Sequence, residues 1–367
     1  MRTRSAHRAH MRITRWLPNE VLTEIIQNAL RADQATLCRV SKLFHALALP
    51  SLNRTVVLHT NDSSICIPEA FCSAIIRNPE RADSVRSLTF VQESYDAVHP
   101  EPSETLMESL KLMRKLEHLS LEDHRPHGVV PRLTSLTFPN LLSCILLGGN
   151  TEDRSLHITG FLSRHPTITH LRLRPPPGED LPVPDGSLLP RLQCYDGGLG
   201  WLPSFSARSL AAVRTVWTVE FPSLANKLSA LTSPALTLSI DFVQGDQITR
   251  LLDQLLTHLP HLGILKLLCW RMSTEEILTQ ITASLPRFRR LEYLAYDYLP
   301  GHSPDDADND REVLKTWASV CPILKGSCIG EIAARKVGEQ WEECSRSVFD
   351  TDAGFLVFDN VLSSSSE

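Results

Sequence analysis

The sequence lacks the paired cysteines that a zinc ribbon or a disulfide framework would need. Its nine cysteines are scattered along 367 residues, and no two of them form a C-x-x-C pair. Cys38, Cys144 and Cys269 lie within apolar stripes, where a free thiol behaves as a small hydrophobic side chain. We therefore expect mostly reduced, partly buried cysteines and no metal centre built from them.

Long apolar runs are also absent. No stretch of about 18 consecutive apolar residues occurs, which argues against a membrane-spanning helix. Residues 1–15 hold five arginines, no acidic residue and no apolar run, which is typical of a basic flexible tail or an organelle transit peptide and not of a secretory signal. Without those five charges the net charge of −5 becomes −10, which argues against a nucleic-acid surface. We expect a protein of the cytoplasm, the nucleus or both, with neither nucleic acid nor a membrane as partner.

The common catalytic and metal-binding motifs are missing as well. The sequence has no G-x-S-x-G elbow, no G-x-x-x-x-G-K-[ST] loop and no H-E-x-x-H pair. Ligand-type side chains gather in residues 118–127, but in polar loops such side chains are usually solvated. The acidic run at residues 305–310 is followed by Arg311, where a calcium loop needs glycine. We predict no catalysis, cofactor or metal; the competing hypothesis is a hydrolase or metalloenzyme site formed by residues 118–127 and 175–204.

Helical spacing is strongest in residues 16–58, where two stripes of apolar residues step by three or four on either side of polar residues 31–34. Pro18 stands where a first helical turn tolerates a residue without an N–H, and Pro50 is expected to end the second helix. The pattern predicts a hairpin of two short helices. Helices this short need tertiary packing, so we expect one of their apolar faces to meet a partner.

The apolar and polar residues of this segment resemble an F-box. The matching positions are Leu17-Pro18-x-x-Val21-Leu22-x-x-Ile25-Ile26, Leu37-Cys38-x-Val40-Ser41-Lys42-x-Phe44-x-x-Leu47-Ala48 and Pro50-x-Leu52-x-Arg54-x-Val56. The resemblance implies docking onto the Skp-type adaptor of an SCF-type cullin-RING ubiquitin ligase, with the cullin and RING subunits reached through the adaptor. Adaptor contacts are then expected at Leu17, Pro18, Val21, Leu22, Ile25, Leu37, Val40, Phe44 and Leu47.

After residue 78 a repeated frame places apolar residues at +2, +5 and +7 from a reference position that is usually proline. Pro139, Pro166 and Pro260 begin such frames, and Pro286 begins another. The +5 and +7 residues alternate as in a short strand, and helical spacing precedes several of them. The predicted strand centres are Leu88, Leu119, Cys144, Leu171, Tyr195, Val216, Leu238, Leu265, Leu294 and Leu324, spaced 21 to 31 residues apart.

Helix, turn and strand units at this spacing are similar to irregular leucine-rich repeats, which run about 20 to 29 residues and supply one strand each. The predicted fold class is α/β, with an F-box hairpin at residues 16–58 followed by a solenoid of parallel strands and helices at residues 59–330. We expect residues 331–362 to form a C-terminal cap and residues 363–367 to be disordered. Residues 175–204, rich in proline and glycine, are predicted to be loops, either a degenerate repeat or an insertion that touches substrate.

Side chains on the outward positions of the strands would line the concave face of such a solenoid. We expect a protein substrate to contact His118, Ser120, His170, Arg172, Lys266 and Glu292. The chain would then be a non-catalytic substrate receptor of a ubiquitin ligase. The alternative is a leucine-rich-repeat scaffold whose hairpin no longer binds an adaptor, because Phe44 and Asn53 stand where F-boxes often carry tryptophan and another aromatic residue.

Overall fold

The computed structural model describes residues 17–60, 66–92, 104–123, 130–147, 154–174, 188–205, 210–217, 231, 236–242, 248–269, 275–298 and 307–355. These residues form one 13-stranded sheet in which the strands lie side by side in chain order. The strands are β1 Thr55–Thr60, β2 Ser87–Gln92, β3 His118–Asp123, β4 Ser143–Leu147, β5 His170–Arg174, β6 Cys194–Gly197, β7 Ala212–Trp217, β8 Thr237–Phe242, β9 Ile264–Cys269, β10 Tyr293–Tyr298, β11 Gly326–Ile329, β12 Ile332–Val337 and β13 Gln340–Cys344.

Strands β1 to β11 pair in parallel, and β12 and β13 extend the sheet as an antiparallel hairpin. Parallel neighbours need a crossover between them, which is where helices of an α/β protein lie. The predicted α/β class with a parallel sheet is therefore confirmed.

Helices occupy many of these crossovers. They are α1 Asn19–Gln27, α2 Arg31–Leu37, α3 Lys42–Leu52, α4 Cys66–Arg77, α5 Glu104–Leu112, α6 Val130–Leu133, α7 Arg154–Leu162, α8 Ile248–His258, α9 Glu275–Ser284, α10 Ala307–Val320 and α11 Arg346–Asp352. Helices α4 to α7 connect the first five strands, and α8 to α10 connect β8 to β11. Among the described residues, no helix is both long and apolar enough to cross a lipid bilayer.

One ladder of apolar side chains runs through the sheet from strand to strand. Its members in register are Leu88, Leu119, Cys144, Leu171, Tyr195, Val213, Leu238, Leu265 and Leu294. Each is at most 3% exposed, and all belong to one core that also takes in the inward residues of the helices. The sheet thus buries one face from β2 to β10, and at Cys144, Leu171 and Leu265 the buried residue is the +5 position of the repeated frame.

Aromatic side chains fill the core between β6 and β7, where the described residues contain no α-helix. Between β6 and β7 a 3₁₀ helix, Leu199–Ser204, brings Trp201 into the core, where its ring stacks against Phe205 at 6.5 Å. Phe205 in turn lies 5.0 Å from the ring of Tyr195. The described part of the loop region predicted at residues 175–204 is therefore part of the hydrophobic core, and residues 175–187 lie outside the described residues.

The N-terminal segment differs from the predicted hairpin, because it contains three helices. Residues 31–34, interpreted from the sequence as a break, begin helix α2; the Gln34 amide donates to the carbonyls of Ile26 at 2.9 Å and Ala29 at 3.0 Å. Pro50 does not end α3, since in the last turn its missing N–H removes only one intrahelical bond. The helix continues to Leu52 and is closed by the Asn53 N–H bonding to the Leu49 carbonyl.

Three strand positions also differ from the frame. In β7 the ladder residue is Val213 and not Val216, and Leu324 is buried but precedes β11. The strand centre predicted at Leu294 is confirmed, but the frame that starts at Pro286 places its +5 residue three positions earlier, because Pro286 lies inside a 3₁₀ helix, Leu285–Arg287, that lengthens the turn before β10. A proline in a turn therefore identifies a repeat but does not predict how many residues separate the proline from the strand.

The C-terminal residues do more than close the end of the sheet. Strands β12 and β13 extend the sheet, and α11 packs on the face opposite the apolar ladder. The described part of the predicted cap ends at Phe355, and residues 356–367 lie outside the described residues, as do residues 1–15 of the predicted basic tail.

Gly197 provides a test of the close packing at β6. A methyl group at this position would meet the backbone carbonyl oxygen of Leu173 and lie 2.6 Å from the Tyr195 hydroxyl oxygen. We expect Gly197→Ala to lower the free energy of unfolding by about 2 kcal/mol, as overpacking of a core does.

The matched control is Gly160→Ala in α7, where a methyl group has nothing within 4 Å. This variant is expected to gain up to about 1 kcal/mol from helix propensity. Chemical denaturation of both variants measures the difference, and equal stabilities would contradict the packing described at β6.

Candidate functional site

The first candidate surface is the unit formed by α1, α2 and α3. Leu22, Ile26 and Ala48 are buried between its helices, and they belong to neither of the two core clusters of the described residues. The unit is tied to the sheet by the Arg31 guanidinium, which donates to the Thr55 carbonyl at 2.7 Å. It therefore has a small interior of its own beside the start of β1.

Exposed apolar side chains concentrate on this unit. Val21 and Ile25, one turn apart on α1, are 37% and 54% exposed; Leu30 is 76% exposed and Val40 is 54% exposed. The rest of the described chain exposes five further large apolar side chains, spread from Ile67 to Val348. Concentrated apolar exposure marks a surface that binds another molecule, whereas single exposed residues need no explanation.

The nine residues expected to contact an adaptor fall into three groups. Pro18, Val21, Ile25 and Val40 are exposed, while Leu17, Leu37, Phe44 and Leu47 are half-buried. Leu22 is buried, so it is a core residue of the unit and cannot contact a partner. The sequence analysis did not predict Leu30 as a contact residue, although Leu30 is the most exposed large apolar residue of the described chain. Helical spacing assigned Leu30 to the first apolar stripe, whereas in the structure it directly precedes α2.

The second candidate surface is the face of the sheet opposite the apolar ladder, called here the open face. Its central row, in register from β2 to β9, consists of Thr89, Ser120, Ile145, Arg172, Asp196, Arg214, Ser239 and Lys266. The row changes along the sheet from uncharged residues on β2 to β4 to mostly charged residues on β5 to β9, where Ser239 is the one uncharged member. A ligand on this face would therefore meet hydroxyl groups at one end and ionic groups at the other.

Charged residues of the open face form ion pairs between neighbouring strands. Arg172 Nε lies 2.9 Å from Asp196 Oδ2, and Arg214 Nη2 lies 3.6 Å from Asp241 Oδ2, whose side chain is 1% exposed. Partly buried pairs of this kind are screened less by salt than surface pairs. They give β5 to β8 a fixed pattern of donors and acceptors.

Two histidines begin β3 and β5, one on either side of β4. His118 and His170 both face Ser143 of β4 in register. Burial lowers the pKa of each imidazole, the Glu117 carboxylate opposes this at His118, and the charge of His118 lowers the pKa of His170 further. Both rings are therefore mainly neutral near pH 7 and can act as hydrogen-bond donors or acceptors.

The structure gathers four of the six residues predicted to contact substrate. His118, Ser120, His170 and Arg172 lie on β3 and β5, separated by one strand. Lys266 is on the same row but four strands further along, about 19 Å away at the usual strand spacing. Glu292 was placed wrongly: it precedes β10, outside the strand, and its carboxylate pairs with Lys325 at 2.7 Å.

The C-terminal segment covers part of the open face. Phe349 of α11 and Phe355 pack on Ala295, Cys328 and Ala333, so β10 to β12 are sealed on this side. The Lys266 ammonium lies 5.6 Å from the centre of the Phe355 ring, which places Lys266 at the margin of the covered part. The part of the open face outside this cover therefore lies on β2 to β8, where Arg172 and Arg214 are half-buried and the other members of the central row are buried.

Arg346 fixes this segment to the sheet. Its guanidinium donates two hydrogen bonds to the Asp297 carboxylate, one of them 2.9 Å long, and a third to the Gly330 carbonyl at 2.7 Å. Burial alone would raise the pKa of Asp297, but the hydrogen bonds from Arg346 and the charge of Lys266 outweigh it, so this pKa lies below its usual value. The carboxylate is ionised at neutral pH and holds α11 in place.

The described residues contain no group of three or more His, Cys, Asp and Glu side chains arranged to hold a metal ion. Of the predicted ligand-type cluster, His118, Glu122 and Asp123 are described, while His124 and His127 lie outside the described residues, as do Asp305 and Asp306 of the acidic run. The Glu122 carboxylate instead accepts a hydrogen bond from the Ser120 hydroxyl at 3.3 Å.

Comparison with known proteins assigns no family. No protein-family model matches the chain, and no curated protein matches it by sequence. The functional argument therefore depends on the two surfaces and on the residues that form them.

Removing the charge of Asp297 tests how α11 is held. Asp297→Asn removes one of the two carboxylate partners of the half-buried Arg346 guanidinium, which keeps its pair with Asp350, so we expect a loss of about 2 kcal/mol in the free energy of unfolding at pH 7. The matched control is Asp253→Asn, which breaks the exposed pair with Arg287 and should cost less than about 1 kcal/mol.

The pH dependence has a defined sign. Because the pKa of Asp297 is lower in the folded chain than in the unfolded chain, its stabilisation is complete above the unfolded value of about 4 and is lost as the pH falls through the folded value. Urea unfolding between pH 7 and pH 3 should show the wild type and Asp297→Asn converging at acid pH. A difference that is constant with pH would contradict the ionic role.

Proposed function

We propose that this chain is the substrate-recognition subunit of an SCF-type cullin-RING ubiquitin ligase. In this proposal the α1 to α3 unit binds a Skp-type adaptor and the open face of the sheet binds a protein substrate. The chain itself performs no catalysis and needs no cofactor. Other subunits transfer ubiquitin, and this chain raises the effective concentration of the substrate beside them.

The observation that carries the proposal is the exposed apolar surface of the α1 to α3 unit. Burying Val21, Ile25, Leu30 and Val40 against a partner would remove apolar area from water, and large apolar side chains gain about 1.5 to 3 kcal/mol each on full burial. The resemblance of the same segment to an F-box supports a Skp-type adaptor as that partner.

The sheet and its repeats support the second part of the proposal, that the chain binds a protein substrate. Repeats that are alike in register but irregular in length support the interpretation as irregular leucine-rich repeats. The paired charges on β5 to β8 favour a substrate segment that carries acidic side chains, because the basic members Arg172 and Arg214 are half-buried whereas their partners Asp196 and Asp241 are buried. We propose this part of the open face, with His118, Ser120, His170 and Arg172 beside it, as the substrate surface.

A second function is supported by the burial of the predicted adaptor residues. Leu22 is buried, and four others of the nine are only half-exposed, which leaves fewer anchors than the F-box resemblance implies. In the second hypothesis the chain is a protein-interaction scaffold without ubiquitin-ligase association. The open face would then bind its ligand in the same way, but the α1 to α3 unit would bind no adaptor.

Placing a charge on the exposed apolar surface separates the two hypotheses. We expect Ile25→Asp to weaken binding of a purified Skp-type adaptor by about 30-fold, because a central apolar anchor contributes about 2 kcal/mol or more. Isothermal titration calorimetry measures the change. The matched control is Val337→Asp, which places the same charge on an exposed position of β12 at the other end of the sheet.

Adaptor binding that is present in the wild type and equal in Ile25→Asp would contradict the proposed surface. Absence of binding in the wild type would favour the scaffold. Circular dichroism of both variants checks that the helices remain folded, which we expect because Ile25 is more than half exposed.

A further inference from the structure

The Arg214 guanidinium, on β7 in the central row of the open face, makes no hydrogen bond to another described residue. Its Nε is buried without a partner, and its Nη2 lies 3.6 Å from Asp241 Oδ2, which is beyond hydrogen-bonding distance. A guanidinium has five N–H donors, and native structures seldom leave a buried donor unsatisfied. The described fold therefore leaves the bonding of Arg214 incomplete.

The other two cations of the central row have closer partners. Arg172 Nε lies 2.9 Å from Asp196 Oδ2, and Lys266 Nζ lies 3.0 Å from Asp297 Oδ2. Lys266 also lies over the ring of Phe355, 5.6 Å from its centre. Arg214 differs from both, because its only ionic partner is at 3.6 Å and its donors are available to a ligand.

Small side chains surround Arg214 on β7 and β8. Ala212 precedes it by two residues on the same face, and Thr237 and Ser239 lie in register with Ala212 and Arg214. These three residues are at most 7% exposed, whereas the Arg214 side chain is 24% exposed. A molecule that approaches this part of the open face therefore meets the guanidinium first, with the Ser239 hydroxyl beside it on β8.

The acidic residues beside Arg214 are more deeply buried than the guanidinium. Asp196 lies in register with it on β6, and Asp241 is 1% exposed on β8. These two carboxylates balance the charges of Arg172 and Arg214, so this part of the face has little net charge. An incoming anion would therefore be held by short-range hydrogen bonds and not by a long-range field.

We propose that Arg214 is the specificity-determining residue of the open face and binds the carboxylate of an acidic side chain of the substrate. Two parallel N–H···O bonds from a guanidinium to a carboxylate are stronger and more specific than contacts to neutral groups. The Ser239 hydroxyl would donate a further hydrogen bond. This inference rests on the open face being the substrate surface of the proposed function, but it needs no adaptor on the α1 to α3 unit.

A peptide library provides the probe. Random dodecapeptides displayed on phage are selected against the immobilised full chain, and the same selection is repeated with Arg214→Gln. We expect aspartate or glutamate to be enriched at one position by the wild type and not by the variant. Equal acidic enrichment by both chains, or none by the wild type, would overturn the assignment.

A double-mutant cycle then tests the contact itself. The selected peptide, labelled with fluorescein, is compared by fluorescence anisotropy with a copy in which the corresponding amide replaces its acidic residue. Arg214→Gln should weaken binding of the acidic peptide about tenfold and of the amide peptide less than about twofold, because both changes remove the same contact. The matched control Arg172→Gln should weaken both peptides by one factor, since Arg172 already pairs with Asp196. Equal losses for both peptides in Arg214→Gln would overturn the proposal.

Removing the competing carboxylate gives a change of opposite sign. Asp241→Asn should tighten binding of the acidic peptide about threefold and leave the amide peptide unchanged, because the guanidinium loses the partner with which a ligand competes. A purely structural role of this pair would instead weaken both peptides alike, and that result would contradict the proposal.

Arg214→Lys guards against a variant that does not fold. It keeps a positive charge beside Asp241 but lacks the planar fork, so it should still bind the acidic peptide several-fold more weakly than the wild type. Wild-type affinity in this variant would overturn the two-bond contact. Selection of acidic peptides by a chain that binds no adaptor would retain this inference and contradict the ligase proposal, whereas adaptor binding without acidic selection would do the reverse.

Discussion

The in-register apolar ladder from Leu88 to Leu294 is the constraint on which the rest of the structure depends. Each member packs against the members on both neighbouring strands and against the helical layer, so no repeat could bury its own share of the core alone. Irregular repeat lengths are tolerated because the ladder requires only that one residue of each strand reach its register position. Where no α-helix is described between β6 and β7, Trp201 and Phe205 supply the missing apolar volume.

One face of the sheet is buried by the helical layer. The open face and the two ends of the sheet carry chemically different groups. The open face carries ion pairs on β5 to β8 and is sealed by α11 on β10 to β12. The N-terminal end carries the α1 to α3 unit with its exposed apolar residues. At the C-terminal end, β12 and β13 extend past the last helix. Three chemically distinct surfaces thus lie on one continuous sheet.

The sequence predicted this fold to the extent that local periodicity encodes it. Most strand centres follow from alternation, and the α/β class follows from strands alternating with helical segments. The strand centre at Leu294 was predicted correctly, whereas Val213 was missed, because the alternating residues of β7 do not show which of them reaches the register position of Tyr195. Helix α2 was missed because Gln34 is buried through hydrogen bonds to carbonyls, which a hydrophobic pattern does not show. The position of α11 on the open face depends on Arg346 and Asp297, which are 49 residues apart.

If the α1 to α3 unit and the open face bind separate partners, an adaptor should affect the first and leave the second unchanged. Hydrogen exchange of the full chain, measured by mass spectrometry with and without a saturating Skp-type adaptor, distinguishes the two surfaces. We expect amides of residues 19–52 to become protected while those of β5 to β8 exchange at unchanged rates. Protection on β5 to β8, or no protection of residues 19–52 in a chain that binds the adaptor, would contradict this expectation.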